Sequence, residues 1–494
     1  MYFIGLDLGT SSLKALLIDE NGVIVRSESE EYPLSFPHHG WSEQDPEDWW
    51  DACVKVIRLL VEGIDPEAIK GMGCGGQMHG LVILDENDHV IRPAILWNDG
   101  RTEEETAWLN ETIGKEKLTE LTANIAFAGF TAPKLLWLKK NEPDNFKRIK
   151  KIMLPKDYIN YRLTGIHCTD YSDASGMLLL DVKHKCWSKE VLEICDVKEE
   201  QMPHLYESYE AVGILTEECV GLLGLSQKTI VAAGAGDNAA AAIGTGTLGE
   251  GSCNISLGTS GTIFLSSNEF RGDPQNALHA FAHADGHYHL MGCMLSAASC
   301  NAWFMQNILH SDDYEGIQAG IKADMLGRNS VYFLPYLMGE RSPINDTDAR
   351  ALFIGMSMDT SRTDMIQAVL EGVTFAIRDS FEAAKKDGLS ITSSKLCGGG
   401  AKSKLWRQML ADILNIRIEI PQSEEGPGYG GAMLAMTACG VYPDVSTCAE
   451  KLIHVKEIIE PDPETAARYE AQYRKYCMIY PAVKQVYKTL KSTE

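Results

Sequence analysis

Positive charge is what this chain most lacks. Its 45 lysines and arginines face 69 aspartates and glutamates, which leaves a formal charge of −24 at pH 7 and a pI near 5.0. Such a surface repels nucleic acid and anionic membranes, so neither is expected as a partner. No uninterrupted apolar run approaches the roughly 20 residues that span a bilayer, and no cationic, apolar leader opens the sequence. The thirteen cysteines include no C-x-x-C pair, and Cys74, Cys397 and Cys439 lie in apolar runs. Reduced, buried thiols and a cytoplasmic setting are therefore expected, not a disulfide framework. There is no G-x-x-x-x-G-K-[S/T] segment, which excludes a P-loop nucleotide site. Low-complexity segments and disordered linkers are also missing. What remains is an ordinary globular composition, 45% apolar and 23% charged over 494 residues, long enough for two or more domains with large cores.

The most informative segment present is Ile4-Gly5-Leu6-Asp7-Leu8-Gly9-Thr10-Ser11-Ser12-Leu13-Lys14. An apolar run delivers one carboxylate, Asp7, to a Gly-Thr-Ser-Ser turn. A second apolar run follows to Ile18, and Asn21-Gly22 then marks another hairpin. Thr10, Ser11 and Ser12, with free backbone N–H groups, suit a phosphate. A single acid beside such a turn suits Mg²⁺, which binds through one or two carboxylates plus phosphate oxygens. An ordinary hairpin with a solvated Asp7 explains the same residues.

The pattern recurs. Ser256-Leu257-Gly258-Thr259-Ser260-Gly261 has the shape of Asp7-Leu8-Gly9-Thr10-Ser11-Ser12. A distant repeat of this kind predicts two domains of related topology. The boundary falls within residues 244–252 and divides the chain into 1–246 and 247–494. A third glycine turn, Gly398-Gly399-Gly400-Ala401, follows a strand and opens a helix from Ser403 through Leu414. In the first half, Asp45 is the expected cap and Pro46 the first residue of a helix. Residues 101–220 read as mainly helical.

Two further groups carry chemistry. Ile230 to Ala233 reads as a strand running out into Gly234-Ala235-Gly236-Asp237-Asn238, and ligands in α/β folds collect at the carboxyl ends of strands. Asp237 could take a proton from a hydroxyl group, or simply cap the helix that follows. Gln77, Met78 and His79 lie in a glycine loop after another strand. Histidine and glutamine can hydrogen-bond sugar hydroxyls, and methionine offers an apolar wall. A structural histidine is the plain alternative. Gly244-Thr245-Gly246-Thr247-Leu248-Gly249 spells G-x-G-x-x-G, but it follows a helix and precedes a strand, the wrong order for a dinucleotide fingerprint. His279, His283, His287 and His289 read as satisfied structural histidines around a turn. Asp99 and Arg101 follow a strand and could line the same cleft as Gln77, Met78 and His79, and a helix cap and surface pair explains them as well.

Together these segments resemble the actin-like ATPase superfamily and, over nearly the full length, the FGGY carbohydrate kinases. Gly129-Phe130-Thr131-Ala132-Pro133-Lys134-Leu135-Leu136-Trp137-Leu138 is similar to one family signature. Ala351 to Met356 with Asp364 and Ala368-Val369-Leu370-Glu371 is similar to the other. Trp41 to Pro46, Gln77 to Gly80, Ile95 to Arg101 and Leu154 to Tyr158 resemble the xylulokinase branch. The resemblance implies an α/β fold of two actin-like (ribonuclease H-like) domains with a catalytic cleft between them. It implies ATP and Mg²⁺, with Asp237 as general base and Asp7 as metal ligand. It gives the sugar to Gln77, Met78, His79 and Asn238. It gives the nucleotide to Thr10, Ser11, Ser12, Gly258, Thr259, Gly398, Gly399, Gly400 and Ala401. The implied sugar is D-xylulose, with ribulose, L-xylulose or another polyol as alternatives, and a homodimer is left open. An actin-like ATPase acting as a chaperone would need a peptide-binding domain, for which the residues after Glu450 are too few.

Overall fold

The computed structural model describes residues 1–273, 275–423 and 425–491. Two seven-stranded mixed sheets organise it. The first contains β1 (Tyr2–Leu8), β2 (Ser12–Asp19), β3 (Ile24–Glu31), β4 (Ile69–Gly76), β5 (Ala211–Ile214), β6 (Ile230–Ala232) and the short β7 (Ala235–Gly236). Its order is β5-β6-β4-β1-β2-β3, with β7 also on β4. The second contains β8 (Ser252–Leu257), β9 (Gly261–Ser267), β10 (His279–Ala282), β11 (Tyr288–Met294), β12 (Ser393–Cys397), β13 (Arg417–Pro421) and β14 (Val455–Ile459). Its order is β10-β11-β9-β8-β12-β13-β14.

The two sheets repeat one plan. From β5 to β3, successive pairings run antiparallel, parallel, parallel, antiparallel and antiparallel. From β14 to β11 the same five senses recur. β1 and β8 occupy equivalent places, so Asp7 and Ser256 are counterparts, as the repeated turn predicts. Phe3, Ile4, Leu6 and Leu8 are all buried. Burial of successive residues means that both faces of β1 are covered, the condition for a central strand.

Helix α1 (Pro46–Leu60) starts where predicted: the Asp45 side chain accepts from the Glu47 N–H and proline occupies the first turn. Residues 101–220 are mainly helical, as read, but not wholly so. Short strands such as Lys151–Met153 and Cys168–Asp170 interrupt the helices. Strands of three residues are too brief for alternation to show in the sequence. That region also holds α2 (Thr131–Asn141) and α3 (Pro155–Thr164).

Helix α4 (Asp237–Thr245) leaves the first sheet after β7, and α5 (Gly426–Ala438) leaves the second after β13. The two helices lie against each other, and α5 also packs on β1 and β4 of the first sheet. Small residues on α5 make this docking close: its Ala432 and Ala435 are buried with Phe3, Leu16 and Ile243 of the first half. The helix Val445–Leu452 joins the same cluster. A stretch of the second half thus completes the core beneath the first sheet. No helix among the described residues is long and apolar enough to cross a membrane.

Candidate active site

Strand register assembles the acidic centre. β1 and β4 run parallel with Asp7 level with Gly75, and β7 runs parallel to β4 with Ala235 level with Gly75. The carboxyl ends of β1, β4 and β7 therefore meet at one edge, where α/β folds bind ligands. Asp7 projects from the first strand, the Gln77-Met78-His79 loop leaves the second, and Asp237 begins α4 one residue beyond the third. The Gln77 N–H donates to the Leu8 carbonyl at 2.8 Å and seals the loop to β1.

Asp237 is enclosed. Its carboxyl is pushed up to about 7, first by burial and then by the charge of Asp7, with the Asn238 N–H opposing at 2.7 Å. Asp7 is raised to about 6, chiefly by burial; Lys14 opposes this and Glu425 adds to it. Lys14 stands opposite Asp7 in the β1–β2 register but is committed elsewhere, its Nζ 2.6 Å from Glu425 Oε1 at the start of α5. Asp7 makes no ion pair among the described residues. Two carboxylates that act on each other thus share this edge, and neither makes an ion pair among the described residues.

Behind them lies a buried ion cluster that sequence reasoning missed. Lys156 Nζ, at the start of α3, lies 2.7 Å from Asp157, 3.2 Å from Asp170 and 3.9 Å from Asp173, all four side chains fully buried. Ser172 Oγ donates to Asp170 at 2.5 Å and accepts from the Gly236 N–H at 3.2 Å. The cluster so fixes the backbone residue before Asp237. The Leu154 to Tyr158 segment is visible in the sequence, but a Lys–Asp neighbour pair carries no spacing that announces burial.

The Met78-His79 loop is held by its backbone. His79 has φ of 70°, the left-handed region that non-glycine residues rarely adopt. Its carbonyl accepts from Lys134 Nζ at 2.8 Å and Thr131 Oγ1 at 3.1 Å, both on α2, which explains the signature segment structurally. Its Nδ1 lies 2.7 Å from the Gly176 carbonyl, so Nδ1 carries the proton. Burial pushes the ring down to about 3, so it is neutral at working pH and Nε2 is an acceptor. The ring stacks on Phe130 with centroids 4.7 Å apart. Asn238 Nδ2 approaches Met78 Sδ at 4.0 Å, which joins the loop to α4. Gln77 is placed differently from the other three: its amide donates to Gln44 Oε1 at 3.1 Å, in a buried chain that also receives Trp49 Nε1.

The glycine turns are equally braced. Trp97 Nε1 donates to Thr10 Oγ1 at 2.9 Å, Gln44 Nε2 donates to the Thr10 carbonyl at 2.7 Å, and the Tyr32 hydroxyl donates to the Gly9 carbonyl. Across the cleft, Gly398 has φ of 88°, and a Cβ there would stand 2.7 Å from the Leu257 carbonyl carbon. That close approach brings the Gly398–Ala401 turn against Gly258 and Thr259. A Cβ on Gly399 would meet nothing within 4 Å, so the turn is open on its outer side.

Several secondary expectations change. Asp99 and Arg101 are not a surface pair. Both are fully buried, with Arg101 bound to Asp99 at 2.7 Å and stacked over Trp41 at 3.7 Å. His283 is satisfied on one side only: its Nε2 bonds the Thr247 carbonyl at 2.9 Å, while its buried Nδ1 has no hydrogen-bond partner among the described residues. His289 goes further: it stacks on Phe264 at 3.9 Å with neither ring nitrogen bonded. Aromatic packing, invisible in its sequence spacing, holds it. Among the described residues no His, Cys, Asp and Glu group is arranged to hold a metal by itself.

Residues 2–244 match the model of the N-terminal domain of the FGGY family of carbohydrate kinases, and residues 253–439 match that of its C-terminal domain. The xylulose kinase of Escherichia coli (strain K12) is 40% identical over 480 residues, 97% of this chain and 98% of that protein. A crystal structure of a xylulose kinase from Brucella ovis, 41% identical, superposes with a TM-score of 0.93 over 98% of this chain and 100% of the other. A gluconate kinase from Lactobacillus acidophilus also gives 0.93, at 29% identity and 99% coverage of both chains.

Proposed function

The chain belongs to the FGGY family of carbohydrate kinases, an enzyme that phosphorylates a sugar with ATP, and from that premise we propose that its sugar is D-xylulose and its product D-xylulose 5-phosphate. The observation that carries the mechanism is the place of Asp237, half-buried one residue beyond β7 at the edge where β1, β4 and β7 end together, surroundings that push its carboxyl up to about 7. A general base works best when its pKa lies near the operating pH. Asp237 takes the proton of the attacking sugar hydroxyl as that oxygen bonds to the γ-phosphorus, and ADP leaves. Met78, neutral His79 and Asn238 line the sugar side. The His79 Nε2 acceptor suits a hydroxyl donor, which an imidazolium would not.

The first half, residues 1–246, then carries sugar and base, and the second, 247–494, carries nucleotide on Gly258, Thr259 and Gly398–Ala401. Thr10, Ser11 and Ser12 face the phosphates from the first half. A divalent cation such as Mg²⁺ fits beside Asp7, whose carboxylate is secluded and unpaired, and phosphate oxygens would supply the remaining ligands. Bound there, it would supply charge neutralisation for the phosphates. All thirteen cysteines are free, which suits a reducing, cytoplasmic compartment.

The likeness to a gluconate kinase gives the runner-up a concrete form, a sugar acid in place of a ketose. Coupled ADP release over D-xylulose, L-xylulose, ribulose, polyols and gluconate decides between them. D-xylulose should be preferred. A preference above about tenfold for another sugar, roughly 1.4 kcal/mol in transition-state binding, overturns the sugar assignment and leaves the kinase reading intact.

A further inference from the structure

Phosphoryl transfer demands positive charge at the migrating group, and this chain is poor in it. The cations nearest the acidic edge are already committed. Lys14 is tied to Glu425, Lys156 to three aspartates, and Lys134 donates to the His79 and Gly129 carbonyls at 2.8 Å each. Arg341 differs. It is half-buried and makes no ion pair among the described residues.

Its position is built, not incidental. Glu340 is buried, and its Oε1 accepts from the Arg341 N–H at 2.8 Å and from the Leu295 N–H at 2.9 Å. The Ser342 N–H donates to the Cys293 carbonyl at 2.9 Å. Just beyond Leu295, the Ala297 N–H bonds the Thr259 carbonyl at 3.0 Å and the Ala298 N–H bonds the Gly258 carbonyl at 2.8 Å. One continuous brace therefore connects the Gly258-Thr259 turn to Arg341.

The guanidinium reaches toward the first half. It lies over the Phe127 ring at 5.6 Å; Phe127 packs on Phe130 at 5.4 Å, and Phe130 stacks on His79. Its charge adds to the burial that keeps His79 and His279 neutral. Burial raises the Cys293 thiol, Arg341 opposes that rise, and Glu340 and Asp237 reinforce it. Base, sugar loop and Arg341 thus surround the same space, although Arg341 belongs to the other half of the chain.

We propose that the Arg341 guanidinium binds the transferred phosphoryl group as it passes from the nucleotide to the sugar. This rests on the kinase reading above. The bond between the γ-phosphorus and the β–γ bridging oxygen breaks, the bond from sugar oxygen to phosphorus forms, and Asp237 receives the hydroxyl proton. Arg341 makes and breaks no covalent bond; it neutralises the phosphoryl oxygens and also holds the phosphate of the product.

The test compares Arg341→Gln and Arg341→Lys with wild type, on whichever sugar wild type phosphorylates fastest, so a wrong sugar assignment leaves it intact. Arg341→Gln should lower kcat by about 10²-fold or more and weaken the sugar phosphate by more than tenfold in calorimetry, while free sugar binds within threefold of wild type. Arg341→Lys should recover part of kcat. Should Arg341→Gln fail to fold, Arg341→Lys carries the same comparison and should still fall below wild type in kcat. Sugar-phosphate affinity within threefold of wild type, or an equal loss for sugar and sugar phosphate, overturns the proposal and leaves Arg341 a packing residue.

Discussion

Gly5 on β1 and Gly428 on α5 meet backbone to backbone: a Cβ on Gly5 would stand 1.8 Å from the Gly428 carbonyl oxygen. This contact joins the strand that carries Asp7 to a helix more than four hundred residues away in sequence. The same helix begins beside Glu425, the partner of Lys14. Docking of α5 thus sets both the level of Asp7 and the charge opposite it.

Gly5→Ala should therefore be strongly destabilising. Overpacking a tight core costs roughly 1–3 kcal/mol, and here the obstacle is backbone, which cannot rotate away. Gly221→Ala is the control, since a Cβ there meets nothing within 4 Å; it should melt at or slightly above wild type. Equal melting temperatures for the two variants would show that α5 can shift and that the contact is loose.

The paired carboxylates should make the ligand-free protein sensitive to pH. Asp237 and Asp7 titrate in the fold near 7 and 6, above the carboxylate reference of 3.8. A raised carboxyl favours folding in its neutral form. Its contribution is fully present below about pH 4 and is lost as pH rises through 6 to 7. At pH 8 both are charged against each other, so Asp237→Asn should raise the melting temperature at pH 8 and change it less at pH 5. A melting temperature unchanged or lowered at pH 8 would show that the repulsion is already relieved.

Asp7→Asn should suppress turnover, and the defect should ease as Mg²⁺ is raised, because a weakened ligand set can be refilled by mass action. Titration of activity against Mg²⁺ checks this. A defect insensitive to Mg²⁺ would make Asp7 a residue that shapes the strand edge without holding the cation.

Much of this site was legible because its signals are local. Asp7, Asp237 and the three glycine turns each sit where an apolar run breaks, and a broken run is readable without neighbours. The duplicated plan was legible for the same reason: Ser256 to Gly261 repeats Asp7 to Ser12. The helix docking was not, because the closeness of Gly5 to Gly428 depends on where two remote elements cross. Nor was the bond from the Gln77 amide to Gln44 beside Trp49, which leaves Gln77 Oε1 without a partner among the described residues. Lys156 and Arg341 look alike in sequence as cations beside an acid. Only the fold separates one locked among three aspartates from one with no ion pair among the described residues.

Closure of the cleft should be measurable. The proposed sugar residues and the glycine turn at Gly398 belong to different halves, and reacting oxygens must come within roughly 3–3.5 Å. The residues between them include Gly246, Gly249 and Gly251, all with positive φ. Gly244, by contrast, lies inside α4 against the Gly426 carbonyl. Hinging should therefore fall after Thr245. Small-angle scattering with sugar and a non-hydrolysable ATP analogue should give a smaller radius of gyration than the free protein, and identical profiles would indicate a preformed site.

The central claim is that Asp237 acts as the base and not as a binding or capping residue. Its most direct test is single-turnover phosphoryl transfer by Asp237→Asn, paired with calorimetric sugar affinity of the same protein. The account predicts transfer slowed by on the order of 10²–10⁴-fold with sugar affinity within a few-fold of wild type. Transfer within a few-fold of wild type, or a loss of rate matched by an equal loss of sugar affinity, would contradict it.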